Sequence, residues 1–185
     1  MSVKYKFRDQ TRLHFVTFAV VNWIDVFSRR SYRDILVDSL KYCQKEKGLE
    51  IYAWCIMTNH VHLIIGTEGR NKLEAILRDF KKFTSQKLIR AIGENQEESR
   101  KEWMLWMFER AGLKNSNNKK YQFWRQDNHP IELSTNEMLT SRLDYIHNNP
   151  VEAGLVLAPE EYLYSSAKNY SGLETEALVE VMFIE

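Results

Sequence analysis

Apolar residues recur along the chain with two different periods, and these predict strands and helices in alternation. Positions 12–21 alternate and are rich in Val and Phe, which predicts a strand. Segments 51–57 and 60–66 predict two more strands, and the short connection between them predicts a hairpin. A fourth strand is predicted over 121–125. Because successive strand residues point to opposite faces, each segment can present one side to a core.

Between these strands the apolar spacing changes to that of an amphipathic helix. Ser31 and Asn71 are the predicted N-caps of the first two helices, and Pro150 is the predicted stop of the last. The predicted helices cover 31–47, 71–92, 95–111 and 134–149. The order of elements predicts an α+β fold in which helices cover one face of an antiparallel sheet, with an added helical insertion.

A chain of 185 residues has the length of one domain, and no linker divides it. We expect a single domain over 1–170, an insertion at about 95–120 and an acidic tail at 171–185. Two cysteines, Cys43 and Cys55, are too few for a disulfide framework, and the charged start has no apolar leader. The longest apolar runs are too short to span a membrane. These features predict a soluble, cytoplasmic protein.

The formal net charge of +1 conceals an uneven distribution of charge. Residues 70–90 hold seven basic and two acidic side chains, whereas residues 150–185 hold one basic and seven acidic ones. A basic segment with an acidic tail is one sign of polyanion binding, although most charged stretches are solvated faces. The predicted DNA contacts on the basic helix are Arg78, Lys81 and Lys82.

A second basic stretch interleaves cations with aromatic rings. Residues 119–125 combine Lys and Arg with Tyr, Phe and Trp, a composition found where bases stack and phosphates are neutralised. An edge strand with aromatic residues in the core explains the same pattern equally well. If the stretch binds DNA, its predicted contacts are Lys119, Lys120, Trp124 and Arg125.

The sequence His60-Val61-His62 places two imidazoles side by side if the segment is a strand, because residues two apart share a face. Two such side chains form half of a metal site. Considered alone, however, the pair is more often two ordinary strand histidines.

A second motif lies near the end of the last predicted helix. Tyr145 and Asn149 are four residues apart and are therefore neighbours on one helix face. Considered alone, they fit a buried tyrosine and a C-cap asparagine. Combined with His60 and His62, they make a metal site of two imidazoles and an amide oxygen, with a hydroxyl beside it. A divalent ion held in this way can polarise a phosphate during an in-line displacement.

The two motifs, in this order and at this separation, resemble those of a known family. The segments AWCIMTNHVHLII and LDYIHNNPVEAGLV, with a basic helix between them, are similar to single-tyrosine HUH transposases, and most similar to REP-associated tyrosine transposases. The resemblance covers about residues 12–166. The stretch around Trp124 departs from the Trp-Gln-Arg-Gly-like strand that many relatives carry before the catalytic helix.

The resemblance implies a ferredoxin-like fold and cleavage of single-stranded or hairpin DNA through a 5′-phosphotyrosine. It implies that Tyr145 is the nucleophile. By position, His60, His62 and Asn149 are the implied ligands of Mg²⁺ or Mn²⁺. A nucleoid-associated protein, either a monomer or a homodimer, is expected.

Three functions are compatible with these residues. A metal-dependent DNA endonuclease and strand transferase is favoured, since a pure binding protein has no need of all four residues of the two motifs. A domesticated protein that binds DNA hairpins without transposition activity is the alternative. A zinc hydrolase is disfavoured, because no Glu or Asp lies at ligand spacing from His60.

Overall fold

The fold is that of a computed structural model, which describes residues 7, 9–115, 120–126, 130–173 and 177–183. Its strands are β1 (His14–Ala19), β2 (Leu49–Ile56), β3 (His60–Thr67) and β4 (Ile131–Glu132). Its helices are α1 (Arg30–Lys47), α2 (Leu73–Glu94), α3 (Lys101–Leu113), α4 (Asn136–Glu152) and α5 (Ala167–Tyr170). Within the described ranges, no helix is both long and apolar enough to cross a membrane.

The four strands form one antiparallel sheet in the order β2-β3-β1-β4. Together with α1 and α2 they make a β-α-β-β-α-β succession, and α3 is inserted before β4. This succession is that of the ferredoxin-like fold, so the predicted α+β class is confirmed. The predicted hairpin is also present, since β2 and β3 pair directly.

Helices cover both faces of the sheet, and the alternation along β1 shows which helix lies where. The ring of Phe18 lies 6.0 Å from that of Phe80 on α2, so this face carries α2 and the neighbouring α1. Phe15, of opposite parity in the strand, lies 6.0 Å from the ring of Tyr145 on α4. The two helices of the β-α-β-β-α-β succession lie on one face, as predicted, but the helix with the tyrosine motif covers the second face, which the prediction of helices on one face did not include.

The fourth strand is not where the apolar pattern predicts it. Residues 121–125 make only an isolated bridge, from Trp124 to Val20, and the strand at the sheet edge is β4. The aromatic pattern arises because Phe123 and Trp124 are buried in the core, 1% and 5% exposed. Two adjacent aromatic residues that pack into the core therefore make a short apolar segment that resembles a strand in the sequence.

Several helix boundaries differ from the predictions; the second helix, for example, begins at Leu73 with Lys72 rather than Asn71 as its N-cap. The first helix begins at Arg30, and Ser31 lies within it rather than capping it. The inserted helix α3 begins only at Lys101. The last helix continues through Pro150 to Glu152, because proline removes only its own donor, and beyond it the Ala153 amide still donates to the Asn149 carbonyl at 3.0 Å.

One buried hydroxyl joins α4 to the sheet. Ser166 Oγ accepts a hydrogen bond from the Trp54 amide on β2 at 2.9 Å. The same oxygen lies 2.8 Å from Nε2 of His147, a buried residue of α4. Burial lowers the pKa of His147 to about 4, so the imidazole is neutral at pH 7. The hydroxyl thus holds the helix that carries Tyr145 in place over the sheet.

We expect Ser166→Ala to lower the free energy of unfolding by about 1–3 kcal/mol, because two buried polar groups lose their partner. Urea unfolding followed by circular dichroism measures this change. Ser171→Ala, at an exposed serine just after α5, is the matched control and should change stability by less than about 0.5 kcal/mol. Equal stability of Ser166→Ala and the wild type would show that this contact does not anchor α4.

Candidate active site

The two histidines of the HxH motif lie on the face of β3 that α4 covers. His60 and His62 have ring centroids 4.6 Å apart. On the neighbouring strand β1, Ala19 pairs with His60 and Thr17 pairs with His62. The small Ala19 side chain and the Thr17 hydroxyl leave room for both rings on this face. The strand period therefore brings the imidazoles together, as expected from the sequence.

The hydrogen bonds of Asn59 determine which nitrogen of His60 carries the proton. Asn59 Nδ2 donates to the Trp23 carbonyl at 3.2 Å and to Asp25 Oδ1 at 3.0 Å, so its Oδ1 is the acceptor. That oxygen accepts from Nδ1 of His60 at 2.7 Å, which leaves the lone pair on Nε2. The side chain of Asn149 also lies within hydrogen-bond reach of the His60 ring.

The ring of His62 is held by one partner and carries one unpartnered nitrogen. Its Nδ1 lies 2.8 Å from Oγ1 of Thr17, whereas its buried Nε2 has no hydrogen-bond partner among the described residues. Burial, with the nearby charges of His60 and Arg142, lowers the pKa of His62 to about 3. Burial also lowers the pKa of His60. Both rings are therefore neutral at pH 7, the form in which imidazole binds metals.

Tyr145 of α4 lies directly against this pair. Its ring centroid is 5.2 Å from that of His62, and the side chain is 38% exposed. Asn149 follows one helical turn later, on the same face. The exposure allows a large substrate to reach the hydroxyl, while the packing against His62 fixes the ring beside the two imidazoles.

These side chains fit a divalent cation. Four buried side-chain nitrogens among the described residues have no hydrogen-bond partner, and His62 Nε2 belongs to the one such group whose ring lies beside both His60 and Tyr145; a metal there would give it a partner. His60 Nε2 and the carbonyl oxygen of Asn149 would be two further donors to such an ion. No group of three His, Cys, Asp or Glu residues in the described part of the chain could hold a metal, so a third protein ligand here would have to be of another type, such as the Asn149 amide. Water or phosphate oxygens would complete the coordination.

The structure contradicts the predicted role of Trp124 in base stacking. The ring is only 5% exposed, and its Nε1 donates to Thr84 Oγ1 at 3.0 Å inside the core. Of the neighbouring predicted contacts, Lys119 lies outside the described residues. Lys120 is exposed and lies 4.0 Å from Glu109 on the insertion helix. Arg125 remains in a position to meet DNA near the site, because its guanidinium extends toward Trp23 beside His60.

The basic residues of α2 lie on the other face of the sheet from the histidine pair. Arg78 forms an ion pair with Asp79 at 3.2 Å, and Lys82 is exposed on the same helix. Only Lys81 extends to the edge of the site, where its Nζ donates to the Arg125 carbonyl at 2.8 Å. The fold therefore does not bring Arg78 and Lys82 to the histidine pair, and their predicted DNA contacts stay predictions.

Sequence reasoning missed Arg142. This residue precedes Tyr145 by one helical turn, and its guanidinium carbon lies 5.0 Å from the ring centroid of Phe15 and 5.9 Å from that of Tyr145. Its positive charge also contributes to lowering the pKa of His62. The spacing of three residues from Tyr145 is the signal that could have indicated it. Arg142 places a permanent positive charge beside the tyrosine and the imidazole.

Comparison with known proteins identifies the class. Residues 8–111 match the family of IS200-like transposases, and the chain belongs to that family. The matched region includes His60 and His62 but ends before α4, so the assignment of Tyr145 and Asn149 depends on the geometry described above. No curated protein matches the sequence significantly.

Several solved structures resemble the chain. One is a REP-associated tyrosine transposase bound to a REP hairpin, with a TM-score of 0.65 and 17% identity over 93% of this chain and 87% of that one. At this identity the likeness concerns the fold. Another is a protein assigned as a transposase from Deinococcus radiodurans, with a TM-score of 0.46 and 17% identity over 80% of this chain and 97% of that one.

Proposed function

We propose that the protein is a metal-dependent endonuclease and strand transferase that cuts single-stranded hairpin DNA and keeps one end as a 5′-phosphotyrosine on Tyr145. The observation that carries this proposal is the position of Tyr145 against His62, whose buried Nε2 has no hydrogen-bond partner among the described residues. Membership of a transposase family supports the reaction class. Similarity in fold to a transposase bound to a REP hairpin supports the hairpin as substrate.

The chemical step is an in-line displacement at phosphorus. The Tyr145 oxygen attacks the scissile phosphate, and a Tyr–O–P bond forms as the bond from phosphorus to the 3′ oxygen breaks. The hydroxyl proton passes to water, and the departing 3′ oxygen takes up a proton to become a free 3′-hydroxyl. Attack by a 3′-hydroxyl of another DNA end reverses the step, which rejoins the strand and regenerates Tyr145.

His60, His62 and Asn149 would hold Mg²⁺ or Mn²⁺. The ion would supply Lewis-acid stabilisation of the charge that develops on the phosphate oxygens. Asn59 and Thr17 orient the two rings through their Nδ1 atoms, at 2.7 and 2.8 Å. Such outer contacts fix the tautomer and direct each Nε2 into the site.

Arg142 would bind a non-bridging oxygen of the same phosphate. We expect Arg142→Ala to lower the rate of single-turnover DNA cleavage by about 10²–10³-fold, the effect of removing one electrostatic donor from a transition state. Arg142→Lys should retain part of the activity, since it keeps the charge but loses the planar fork. Arg30→Ala, at an exposed arginine of α1 on the opposite face of the sheet, is the matched control and should cleave normally. Equal rates for Arg142→Ala and Arg30→Ala would show that Arg142 does not act in the site.

The proposed function is tested by incubating the protein with end-labelled single-stranded hairpins and Mn²⁺, followed by a denaturing gel. We expect a covalent protein–DNA band, a released strand with a free 3′-hydroxyl, and neither product in EDTA. Tight binding of hairpins without any covalent band would favour the alternative, a hairpin-binding protein without transposition activity.

A further inference from the structure

A large exposed aromatic side chain lies beside the candidate active site in an unusual backbone conformation. Trp23, in the short turn after β1, and its neighbour Asn22 both have a φ of 55°. Bulky L residues rarely adopt this left-handed conformation, and such residues cluster at functional sites. Trp23 is nevertheless 50% exposed, so burial in the core does not account for this conformation.

Asn59 forms hydrogen bonds with both Trp23 and His60. Asn59 donates to the carbonyl of Trp23 at 3.2 Å and accepts from Nδ1 of His60 at 2.7 Å. A second bond, from the Trp23 amide to the Val20 carbonyl at 3.1 Å, closes the turn onto the end of β1. The backbone of Trp23 is therefore fixed relative to His60, and the indole ring lies beside the His60 ring.

A cation accompanies the indole. The guanidinium carbon of Arg125 lies 5.4 Å from the centroid of the Trp23 ring, and His60 meets that ring edge-on at 5.8 Å. The backbone of Arg125 is tied at both ends, since its amide donates to the Ala19 carbonyl and its carbonyl accepts from Lys81, each at 2.8 Å. The exposed indole of Trp23 and the guanidinium of Arg125 thus lie next to each other and beside the ring of His60.

We propose that Trp23 and Arg125 form a nucleotide subsite: the indole stacks on the base next to the scissile phosphate, and Arg125 binds the adjoining backbone phosphate. Aromatic rings beside cations bind single-stranded nucleic acid in this manner, whatever the base. The subsite depends on the proposed function for its role, which is to place the scissile phosphate at His60 and Tyr145. Binding itself requires no cleavage, and the two can be tested separately.

The test compares two ligands in EDTA, where cleavage does not occur: an oligothymidylate of about ten nucleotides and a base-free oligomer with the same number of phosphates. Fluorescence anisotropy gives the Kd of each. We expect Trp23→Ala to weaken binding of the oligothymidylate by about five- to 150-fold and to leave the base-free oligomer unchanged. Trp23→Phe should lie between the wild type and Trp23→Ala. Arg125→Ala should weaken binding of both ligands.

Trp103→Ala is the matched control, because Trp103 is 49% exposed but lies on the insertion helix, and it should change neither Kd. An equal loss for both oligomers in Trp23→Ala, or no loss for either, would overturn the subsite. These outcomes would leave the proposed function standing if the wild type still forms its covalent product. Conversely, a wild-type protein that binds through Trp23 but never cuts DNA would support the subsite and contradict the proposed function.

Discussion

Tyr145→Phe is expected to abolish the covalent protein–DNA product, with a loss of about 10⁴-fold or more, the scale seen when an enzyme loses its nucleophile. Phenylalanine keeps the ring contacts with His62 and Phe15 but removes the oxygen that would attack phosphorus. The proposed metal ligands are untouched. Affinity for hairpin DNA should therefore stay close to that of the wild type, as measured by fluorescence anisotropy in parallel with the denaturing gel.

A tyrosine elsewhere on the surface provides the control for this substitution. Tyr42 is 58% exposed on α1, so Tyr42→Phe should form the covalent product normally. Two tyrosines after α4 are poor substitutes for Tyr145, because Tyr162 donates to the Ile56 carbonyl and Tyr164 donates to Asp34 Oδ1. Retention of the covalent product in Tyr145→Phe would show that another residue is the nucleophile.

His60→Ala and His62→Ala should each remove cleavage for a different reason from Tyr145→Phe. Each substitution deletes one of two neighbouring nitrogens that face the proposed metal site. The affinity for Mn²⁺, measured by calorimetric titration, should fall by more than the roughly 10–100-fold that loss of an outer contact costs. Thr17→Val, which removes only the outer contact of His62, should lie within that range.

His14→Ala is the matched control for the two histidine variants. His14 is also buried on the sheet, but its side chain points to the face of β1 opposite that of Thr17. There its ring lies against Phe7 and away from the site. Its variant should bind Mn²⁺ and cleave DNA like the wild type once folded. Unchanged Mn²⁺ binding in both His60→Ala and His62→Ala would exclude the proposed metal site.

Short-range periodicity made part of the site predictable. Residues two apart in a strand share a face, which was enough to pair His60 with His62. Residues four apart in a helix are neighbours, which was enough to pair Tyr145 with Asn149. The contact between the two pairs could not be predicted in this way, because it depends on tertiary packing. Helix α4 lies on the face of the sheet opposite α1 and α2, and no local pattern in the sequence encodes that position.

The predictions failed where burial and pairing are set by distant parts of the chain. Trp124 looked like a stacking residue beside basic neighbours, but its indole fills the core and bonds to Thr84 on α2. Strand β4 has only two residues, too few for any alternation to show. Trp23 carries no sequence signal at all, because its importance comes from a left-handed backbone and from the nearness of His60.

The most direct measurement is identification of the residue that carries the DNA. The covalent product formed with a hairpin and Mn²⁺ is digested with a protease and a nuclease, and the peptide that keeps a nucleotide is sequenced by mass spectrometry. The proposed function predicts one modified residue, Tyr145, with the nucleotide attached through its 5′ phosphate. A nucleotide on any other side chain, or one attached through a 3′ phosphate, would contradict it.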